Sequence, residues 1–444
     1  MLLKRHFSGS IARKFLKKPC FDVKAIINSL PAHQTSIVAR ELIAGKTLLE
    51  DLNLLPSRYE HFKTLNKQVL IIQSKRKAIE SLIKVDKSKT KELQADIIQL
   101  KSQYNDVFKE IKMLKDTIDE TCSSLPNLVH TSVPLTEPDI VHWINPRDSY
   151  VPDELRDHVT IMTKKGMVDF QTASNVTGNS WYYLMNKGAQ LEYALVSYAL
   201  EKALASGFNM CLPPSIARNE VINACGFRPK DMNNEQQIYH INNTDLGLIA
   251  TAEITLAGLG INQVLDLSQG PKKLVGVSRS YRAEAGARGR DTKGLYRVHE
   301  FTKVELFCWS KPAESEKVFE QLKDFQIDLV ESLGLTAKVL NMPSNDLGAP
   351  AYKKYDIEAW MPGRGSFGEI SSTSNCTQFQ SRRMLTKYKN TELNSLEYVH
   401  TLNGTAMAVP RVLLAIVENF YDPHTEKIHV PEPLRKYMGG DEYI

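Results

Sequence analysis

Residues 280–286 and 296–305 contain side chains suited to phosphate and amine chemistry. Arg282 and Glu284 alternate along a predicted strand, so both side chains should point to one face. A guanidinium there can bind two phosphate oxygens through its planar fork, and a neighbouring carboxylate can accept from an amine. The same spacing is also typical of a surface ion pair, so these two residues alone do not decide between the two interpretations.

Two later stretches add oxygen ligands and a second cation. Residues 368–375 place Glu369 ahead of Ser371 and Ser372, and hard oxygen ligands suit Mg²⁺ shared with nucleotide phosphates. Residues 403–411 open a predicted helix, where Pro410 is tolerated and Arg411 adds charge at an end that favours anions. The alternatives are a strand that leads into a serine-rich turn and a solvated helix arginine.

The cysteines favour neither a metal site nor a disulfide framework. They form no CxxC pair, and no histidine joins them at zinc-ligand spacing. Cys376 lies among polar residues, but no paired base accompanies it, which favours a reduced structural thiol over a nucleophile. The six positions are Cys20, Cys122, Cys211, Cys225, Cys308 and Cys376.

The first half of the chain has the clearest periodicity. Short helical patterns over residues 21–55 are separated by Pro31, Gly45 and Pro56. Apolar residues then follow alternating three- and four-residue steps over 62–83 and, after a polar break at 85–88, over 93–118. Two heptad segments joined by a short turn predict an antiparallel coiled-coil hairpin over about 58–124. Its second helix would be about 45 to 50 Å long and should project into solvent.

Charge alone does not give the hairpin a purpose. Residues 56–124 contain 14 Lys and Arg against 10 Asp and Glu. A coiled coil with a solvated charged face explains this surplus as well as an RNA-binding arm does, and the spacing by itself favours the former.

The second half of the chain predicts an α+β domain. Five prolines between residues 126 and 152 indicate a linker over 126–154, and a catalytic domain would occupy 155–444. Helical patterns over 189–205 and 408–419 bracket strand-like segments at 274–281, 296–309 and 366–371. They do not alternate in βαβ fashion, which favours a largely antiparallel sheet flanked by helices. Because no apolar run approaches about 18 residues, no membrane-spanning segment or membrane partner is expected.

The N-terminus is basic and amphipathic. The first 19 residues carry six Lys and Arg and no acid, which is typical of a mitochondrial presequence over residues 1–20. A disordered basic tail or an RNA-contacting arm is the alternative. Removing these six charges from a chain of net charge +5 leaves about −1, so the global charge does not support nucleic-acid binding.

In their order along the chain, these segments resemble a class II aminoacyl-tRNA synthetase, specifically the seryl-tRNA synthetase family. Residues 126–134 resemble the junction between arm and catalytic domain, and Thr251-Ala252-Glu253 resembles the TxE serine motif. Residues 281–286 are similar to class motif 2, and 403–411 to motif 3. Residues 369–383, EISSTSNCTQFQSRR, are similar to a stretch of this family that other class II enzymes lack.

The resemblance implies a role for each site residue. Arg282, Glu369 and Arg411 would be catalytic, with Arg282 holding the ATP α-phosphate and the serine carboxylate and Arg411 the terminal phosphate. Glu284 would read the adenine amino group. The ATP-binding residues would be Arg282, Glu284, Val298, Glu369, Ile370, Ser371, Ser372 and Arg411, with Mg²⁺ on Glu369 and Ser372. Serine would contact Thr251 and Glu253 through its amino group, Glu305 and Thr405 through its hydroxyl, and Arg282 through its carboxylate.

The resemblance also implies partners and a compartment. The arm over residues 21–125 would recognise the long variable arm of tRNA-Ser. The enzyme would be a homodimer with residues 191–214 near the subunit interface. It would act in the mitochondrial matrix. Gln378, Ala406 and Pro410 depart from the usual family pattern, and Pro410 could shift the start of the helix that carries Arg411. Three rival interpretations are an inactive synthetase-like protein, an enzyme that loads an amino acid onto a carrier protein, and an RNA-binding coiled-coil protein without ATP chemistry.

Overall fold

The computed structural model describes residues 16–227, 237–284 and 294–444. Residues 19–128 and 129–444 form two compact units, and residues 16–18 group with the second. The predicted presequence falls largely outside the described residues, as do Ala285 and Gly286 of the motif 2 stretch. Among the described residues, no helix has both the length and the apolar character needed to cross a membrane.

The α-helices of the described chain are numbered in order. They are α1 Val23–Asn28, α2 Leu30–Ala39, α3 Gly45–Val85, α4 Thr90–Ser124, α5 His158–Lys164, α6 Phe170–Thr177, α7 Asn186–Ala205, α8 Asn219–Ala224, α9 Glu253–Gly258, α10 Ser315–Ser332, α11 Phe379–Met384, α12 Val409–Phe420 and α13 Glu432–Arg435.

The strands are numbered in the same way. They are β1 Asp139–Ile144, β2 Val168–Asp169, β3 Tyr183–Leu184, β4 Asn209–Cys211, β5 Ile216–Arg218, β6 Leu246–Leu248, β7 Val264–Leu265, β8 Lys272–Tyr281, β9 Glu300–Ser310, β10 Ala337–Asn341, β11 Lys353–Met361, β12 Ser366–Asn375, β13 Lys387–Asn390, β14 Ser395–Tyr398, β15 His400–Ala408, β16 Tyr421–Asp422 and β17 Lys427–Ile428.

The helical unit contains the predicted hairpin, formed by α3 and α4. The polar break becomes a tight turn in which the Asp86 carboxylate accepts from the Ser88 backbone N–H at 3.0 Å, and the Thr90 hydroxyl donates to the Lys87 carbonyl at 2.7 Å. A hydrogen bond between His61 Nε2 and Glu110 Oε1, 2.9 Å apart, joins the two helices farther along. The heptad periodicity thus gave the correct fold for this segment.

Pro56 does not separate two helical segments, as the sequence had indicated, but lies inside α3. A proline in a helix interior costs about 3 kcal/mol. Leu52 and Leu55 lie in the turn before it and are fully buried in a cluster with Ile118 and Cys122. Burying two leucines stabilises the helix by roughly 3 to 6 kcal/mol, which outweighs the cost of the proline.

The second unit is built on an eight-stranded sheet in the order β1-β10-β11-β12-β15-β9-β8-β4. Neighbouring strands are antiparallel except for β4 and β8, which are parallel. This confirms the α+β prediction with a largely antiparallel sheet. Helices α7, α10 and α12 supply buried side chains to the main core of this unit.

Strand β9 separates the apolar core from a charged face. Val304, Leu306 and Cys308 are fully buried in the main core, while Lys303 and Glu305 point to the opposite side because side chains alternate along a strand. The strand begins at Glu300, not at the predicted position 296, since the His299 N–H donates to the Ser180 carbonyl at 3.2 Å, outside the sheet.

Candidate active site

Most of the predicted site residues line one cavity on the charged side of the sheet. Strands β9, β12 and β15, the residues just after β8, the segment 295–298 and the first turn of α12 contribute to its walls. The predicted residues that line it are Arg282, Glu284, Val298, Glu369, Ile370, Ser371, Ser372, Thr405 and Arg411. The other three predicted residues, Thr251, Glu253 and Glu305, lie next to this cavity. Lys303 lines the cavity and forms an ion pair with Glu305, and Glu305 interacts in turn with Thr251 and Glu253.

Three arginines line this cavity, and two of them, Arg282 and Arg411, belong to the predicted site. Arg282 follows β8 directly, and its backbone N–H donates to the His299 carbonyl at 2.9 Å, which continues the pairing of β8 with β9. Its guanidinium carbon lies 5.3 Å from the ring centre of Phe301. Burial and then the charge of Arg411 lower the pKa of Arg282. Two like charges held this close indicate a site for an anion.

Arg411 is fixed by three hydrogen bonds. Its Nε donates to the Tyr296 carbonyl at 3.1 Å, and its Nη1 donates to the Glu369 carbonyl at 3.0 Å and to the Glu369 Oε2 at 3.1 Å. The Tyr296 hydroxyl in turn accepts from the Glu369 backbone N–H at 3.0 Å. Helix α12 begins at Val409, so Pro410 falls in its first turn and leaves Arg411 directed at the cavity.

Glu369 and Ser372 have the ligand chemistry that magnesium requires. Burial raises the pKa of Glu369, but the charges of Arg411, Lys354 and Arg282 outweigh it, and the net pKa lies below the ordinary value. Glu369 is therefore a carboxylate at neutral pH. Asp356 lies opposite Ser372 on β11 and is buried, with Oδ1 unpaired among the described residues. This set of hard oxygen ligands fits Mg²⁺.

A second pair of acids lies deeper. Burial and then the charge of Glu305 raise the pKa of Glu253 to about 7, and burial also raises the pKa of Glu305. Lys303 Nζ lies 2.6 Å from Glu305 Oε2 and compensates part of this negative charge. The Glu253 backbone N–H donates to the Thr251 hydroxyl at 3.2 Å, which fixes the two residues of the TxE motif together. Paired acids beside a polar cavity suit a cationic, hydroxyl-bearing ligand.

Glu253 is held from two other elements. Its Oε1 accepts from Gln380 Nε2 on α11 at 2.6 Å and from Asn403 Nδ2 on β15 at 2.9 Å. Asn403 also donates to Cys376 Sγ at 3.6 Å. Cys376 is buried, which agrees with the prediction of a structural thiol.

Several residues of the site were missed by sequence reasoning. Lys303 could have been found, since it alternates with Glu305 and must share its strand face. Two further residues line the cavity, Arg297, which lies 3.4 Å from Glu284, and Phe301. No sequence pattern around either residue distinguishes it from a surface residue. Gln380 lies 127 residues from Glu253, so only the fold could bring them together.

Comparison with known proteins gives consistent matches. Residues 237–420 match the tRNA synthetase class II core domain (G, H, P, S and T). The whole chain is 62% identical over 446 residues to the mitochondrial serine–tRNA ligase of Saccharomyces cerevisiae, all of which is covered. It is 38% identical to the serine–tRNA ligase of Borreliella afzelii, over 95% of this chain and 98% of that protein. The crystal structure of seryl-tRNA synthetase from Pyrococcus horikoshii complexed with ATP matches with a TM-score of 0.86 and 31% identity, over 96% of this chain and 99% of that one.

Proposed function

The chain belongs to the seryl-tRNA synthetase family, and from this premise we propose how its residues carry out the reaction. It is an ATP-dependent serine–tRNA ligase, which activates serine as seryl-adenylate and transfers the seryl group to tRNA-Ser, releasing pyrophosphate and AMP. The observation that carries this conclusion is full-length identity to such ligases. The cavity, with Arg282 and Arg411 in its walls and the buried acids Glu253 and Glu305 nearby, supports it.

In the activation step, Arg282 holds the serine carboxylate and the α-phosphate, which brings nucleophile and electrophile together. Such positioning can supply several kcal/mol of the barrier. Arg411 binds the terminal phosphate of a bent ATP, Glu284 accepts from the adenine amino group, and Val298, Ile370 and Ser371 complete the nucleotide pocket. Glu369 and Ser372 would hold Mg²⁺, which would neutralise negative charge on the phosphates.

Serine is recognised by polar groups at the base of the cavity. Thr251 and Glu253 accept from its ammonium, while Glu305 and Thr405 bind its hydroxyl. A pocket that pairs with a hydroxyl rejects the analogue that lacks it by roughly 10⁴-fold or more, since its buried polar groups would be left unpaired. Alanine is therefore excluded by chemistry and threonine by size.

The experiment that tests this proposal is amino acid-dependent ATP–pyrophosphate exchange without tRNA. Exchange with serine, and not with alanine or threonine, is the expected result. Folded protein that exchanges with no amino acid but still binds tRNA would favour the inactive synthetase-like interpretation.

The hairpin of α3 and α4 is proposed to bind tRNA-Ser. Supporting this, α4 carries a stripe of lysine and aromatic residues on one face, set by the helical period: Lys101, Tyr104, Asn105, Phe108, Lys112 and Lys115. The rings of Tyr104 and Phe108 stack at 5.7 Å, and half of Phe108 is exposed.

The other flank of α4 is acidic, with Glu92, Asp96, Asp106 and Glu110. Lysines suit phosphates and an exposed ring suits an unstacked base, so the lysine and aromatic stripe is the RNA-binding face.

Changing Lys101, Lys112 and Lys115 together to glutamine should raise the KM for tRNA-Ser by about 10- to 100-fold and reduce its salt dependence. Exchange without tRNA should not change. The control is the double variant Lys67→Gln/Lys75→Gln on α3, which should have little effect on the KM for tRNA-Ser. Aminoacylation assays at two salt concentrations measure both variants. An equal rise in KM for both sets would argue against a defined RNA-binding face.

The proposed enzyme is a homodimer. Exposed apolar side chains on α7 and near β4, among them Tyr193 and Leu212, both about three-quarters exposed, support an interface over residues 191–214. The partner subunit would cover this apolar surface, since such patches are uncommon on free monomers.

A matrix location is also proposed, from the basic N-terminus and the identity to a mitochondrial relative. Removing residues 1–20 should abolish uptake by isolated mitochondria in a protease-protection assay and leave serine-dependent exchange unchanged. The full-length chain is the control, and import of the shortened chain would contradict the presequence interpretation.

A further inference from the structure

Gln380 is a buried amide without a role in the reaction as described so far. It lies on α11, is fully buried, and donates through Nε2 to Glu253 Oε1 at 2.6 Å. Its own Oε1 is buried and has no hydrogen-bond partner among the described residues. An unpaired buried carbonyl oxygen is destabilising, and such groups in native proteins are uncommon.

The orientation of this amide follows from charge. If the side chain were flipped, its carbonyl oxygen would face the Glu253 carboxylate and repel it. The observed orientation instead points N–H at the carboxylate and leaves the carbonyl oxygen unpaired. Nε2 also donates to the Cys225 carbonyl at 3.4 Å, and the shorter, charge-assisted hydrogen bond to Glu253 compensates for the unpaired carbonyl oxygen.

The geometry of Glu253 indicates what this compensation achieves. Gln380 and Asn403 both donate to Oε1, from two different elements. Within the described part of the chain, Oε2 makes no hydrogen bond. One oxygen is thus fixed by protein amides, and the other remains for a ligand.

We propose that Gln380 is a positioning residue for serine recognition, whose amide fixes one oxygen of Glu253 so that the other meets the substrate ammonium. This rests on the proposed role of Glu253 in binding the serine amino group. Gln380 does not touch the substrate and acts through Glu253.

The electrostatic surroundings of Glu253 set a pH signature for this role. Glu305 on β9 opposes its negative charge, while Lys303 on β9 and Arg282 after β8 favour it. The Cys225 thiol after α8 stays neutral, because burial and then the charge of Glu253 raise its pKa. The pKa of Glu253 is already raised to about 7 with the Gln380 hydrogen bond in place. Losing that bond raises the pKa further, so less of Glu253 is ionised at pH 7, and raising the pH restores the ionised form.

The test is Gln380→Met in the full chain, measured by serine-dependent ATP–pyrophosphate exchange from pH 6.5 to 9. At pH 7 the KM for serine should rise on the order of 10- to 100-fold, with the KM for ATP nearly unchanged. The ratio of the variant to the parent KM for serine should fall as the pH rises. Gln378→Met, at the N-cap of the same helix, is the matched control and should behave like the parent.

A double variant separates positioning from a structural role. In a Glu253→Gln background there is no charge to hold, so Gln380→Met should raise the KM for serine no further. Gln380→Ala, which cannot overpack the site, replaces Gln380→Met if that variant does not unfold cooperatively. An unchanged KM for serine, an equal rise in both KM values, or a ratio that is constant with pH would overturn the proposal. A parent enzyme without serine-dependent exchange would instead contradict the proposed function itself.

Discussion

Replacing Arg282 with glutamine is expected to lower kcat/KM of serine-dependent ATP–pyrophosphate exchange by about 10³- to 10⁴-fold. This variant lacks the guanidinium that we propose contacts both the α-phosphate and the serine carboxylate, and each such charge-assisted contact contributes roughly 1.5 to 3 kcal/mol. Because the second contact is with serine, the KM for serine should rise as well. Thermal unfolding should change little, since the backbone pairing of Arg282 with His299 remains.

The matched control for Arg282→Gln is Arg435→Gln. Arg435 lies on α13 near the surface, and its guanidinium forms an ion pair with Glu442 at 2.9 Å. Exposed ion pairs contribute about 0 to 1 kcal/mol, so exchange should be close to that of the parent. Near-normal exchange by Arg282→Gln would mean that another cation, such as Arg297, binds the α-phosphate.

The second large effect is expected for Glu369→Gln, which should lower kcat for exchange by about 10²- to 10³-fold and raise the magnesium concentration needed for half-maximal rate. Glutamine keeps the shape of the side chain but loses the charge that we propose binds the divalent cation. A magnesium titration of the exchange rate at saturating ATP and serine measures this directly.

Glu358→Gln is the control for Glu369. Glu358 pairs with Glu369 across β11 and β12, but its carboxylate binds Lys338 on β10 at 2.9 Å. It should leave the magnesium dependence unchanged. A Glu369→Gln enzyme with normal magnesium dependence would show that the metal is held elsewhere.

What the sequence could predict depended on how local each feature is. The α3–α4 hairpin was accessible because heptad spacing and a polar turn are written in adjacent residues. The order of the eight-stranded sheet was not, since β15 inserts between β12 and β9, which lie far from each other along the chain. Pro56 was misinterpreted for the same reason, because the packing that tolerates it comes from α4.

The site divides in the same way. The residues in motif 2 and motif 3 were identified from ordered short segments, and the fold gathers them around one cavity. Gln380 and Lys303 contribute through partners, and a partner is visible only once the strands and helices are assembled. Polar residues that act through another side chain have no separate spacing signal in the sequence.

The hydrogen bond between Arg411 and Glu369 has a consequence for the order in which ligands associate. Each of these side chains neutralises the other. With Mg²⁺ on Glu369 and the terminal phosphate on Arg411, as we propose, a lone divalent cation would compete with the guanidinium and a lone phosphate with the carboxylate. When both ligands bind, the metal would free Arg411 for the phosphate, and the phosphate would free Glu369 for the metal. Thermodynamic linkage is reciprocal, so nucleotide and metal should each tighten binding of the other, and free ATP and free Mg²⁺ should both bind more weakly than their complex.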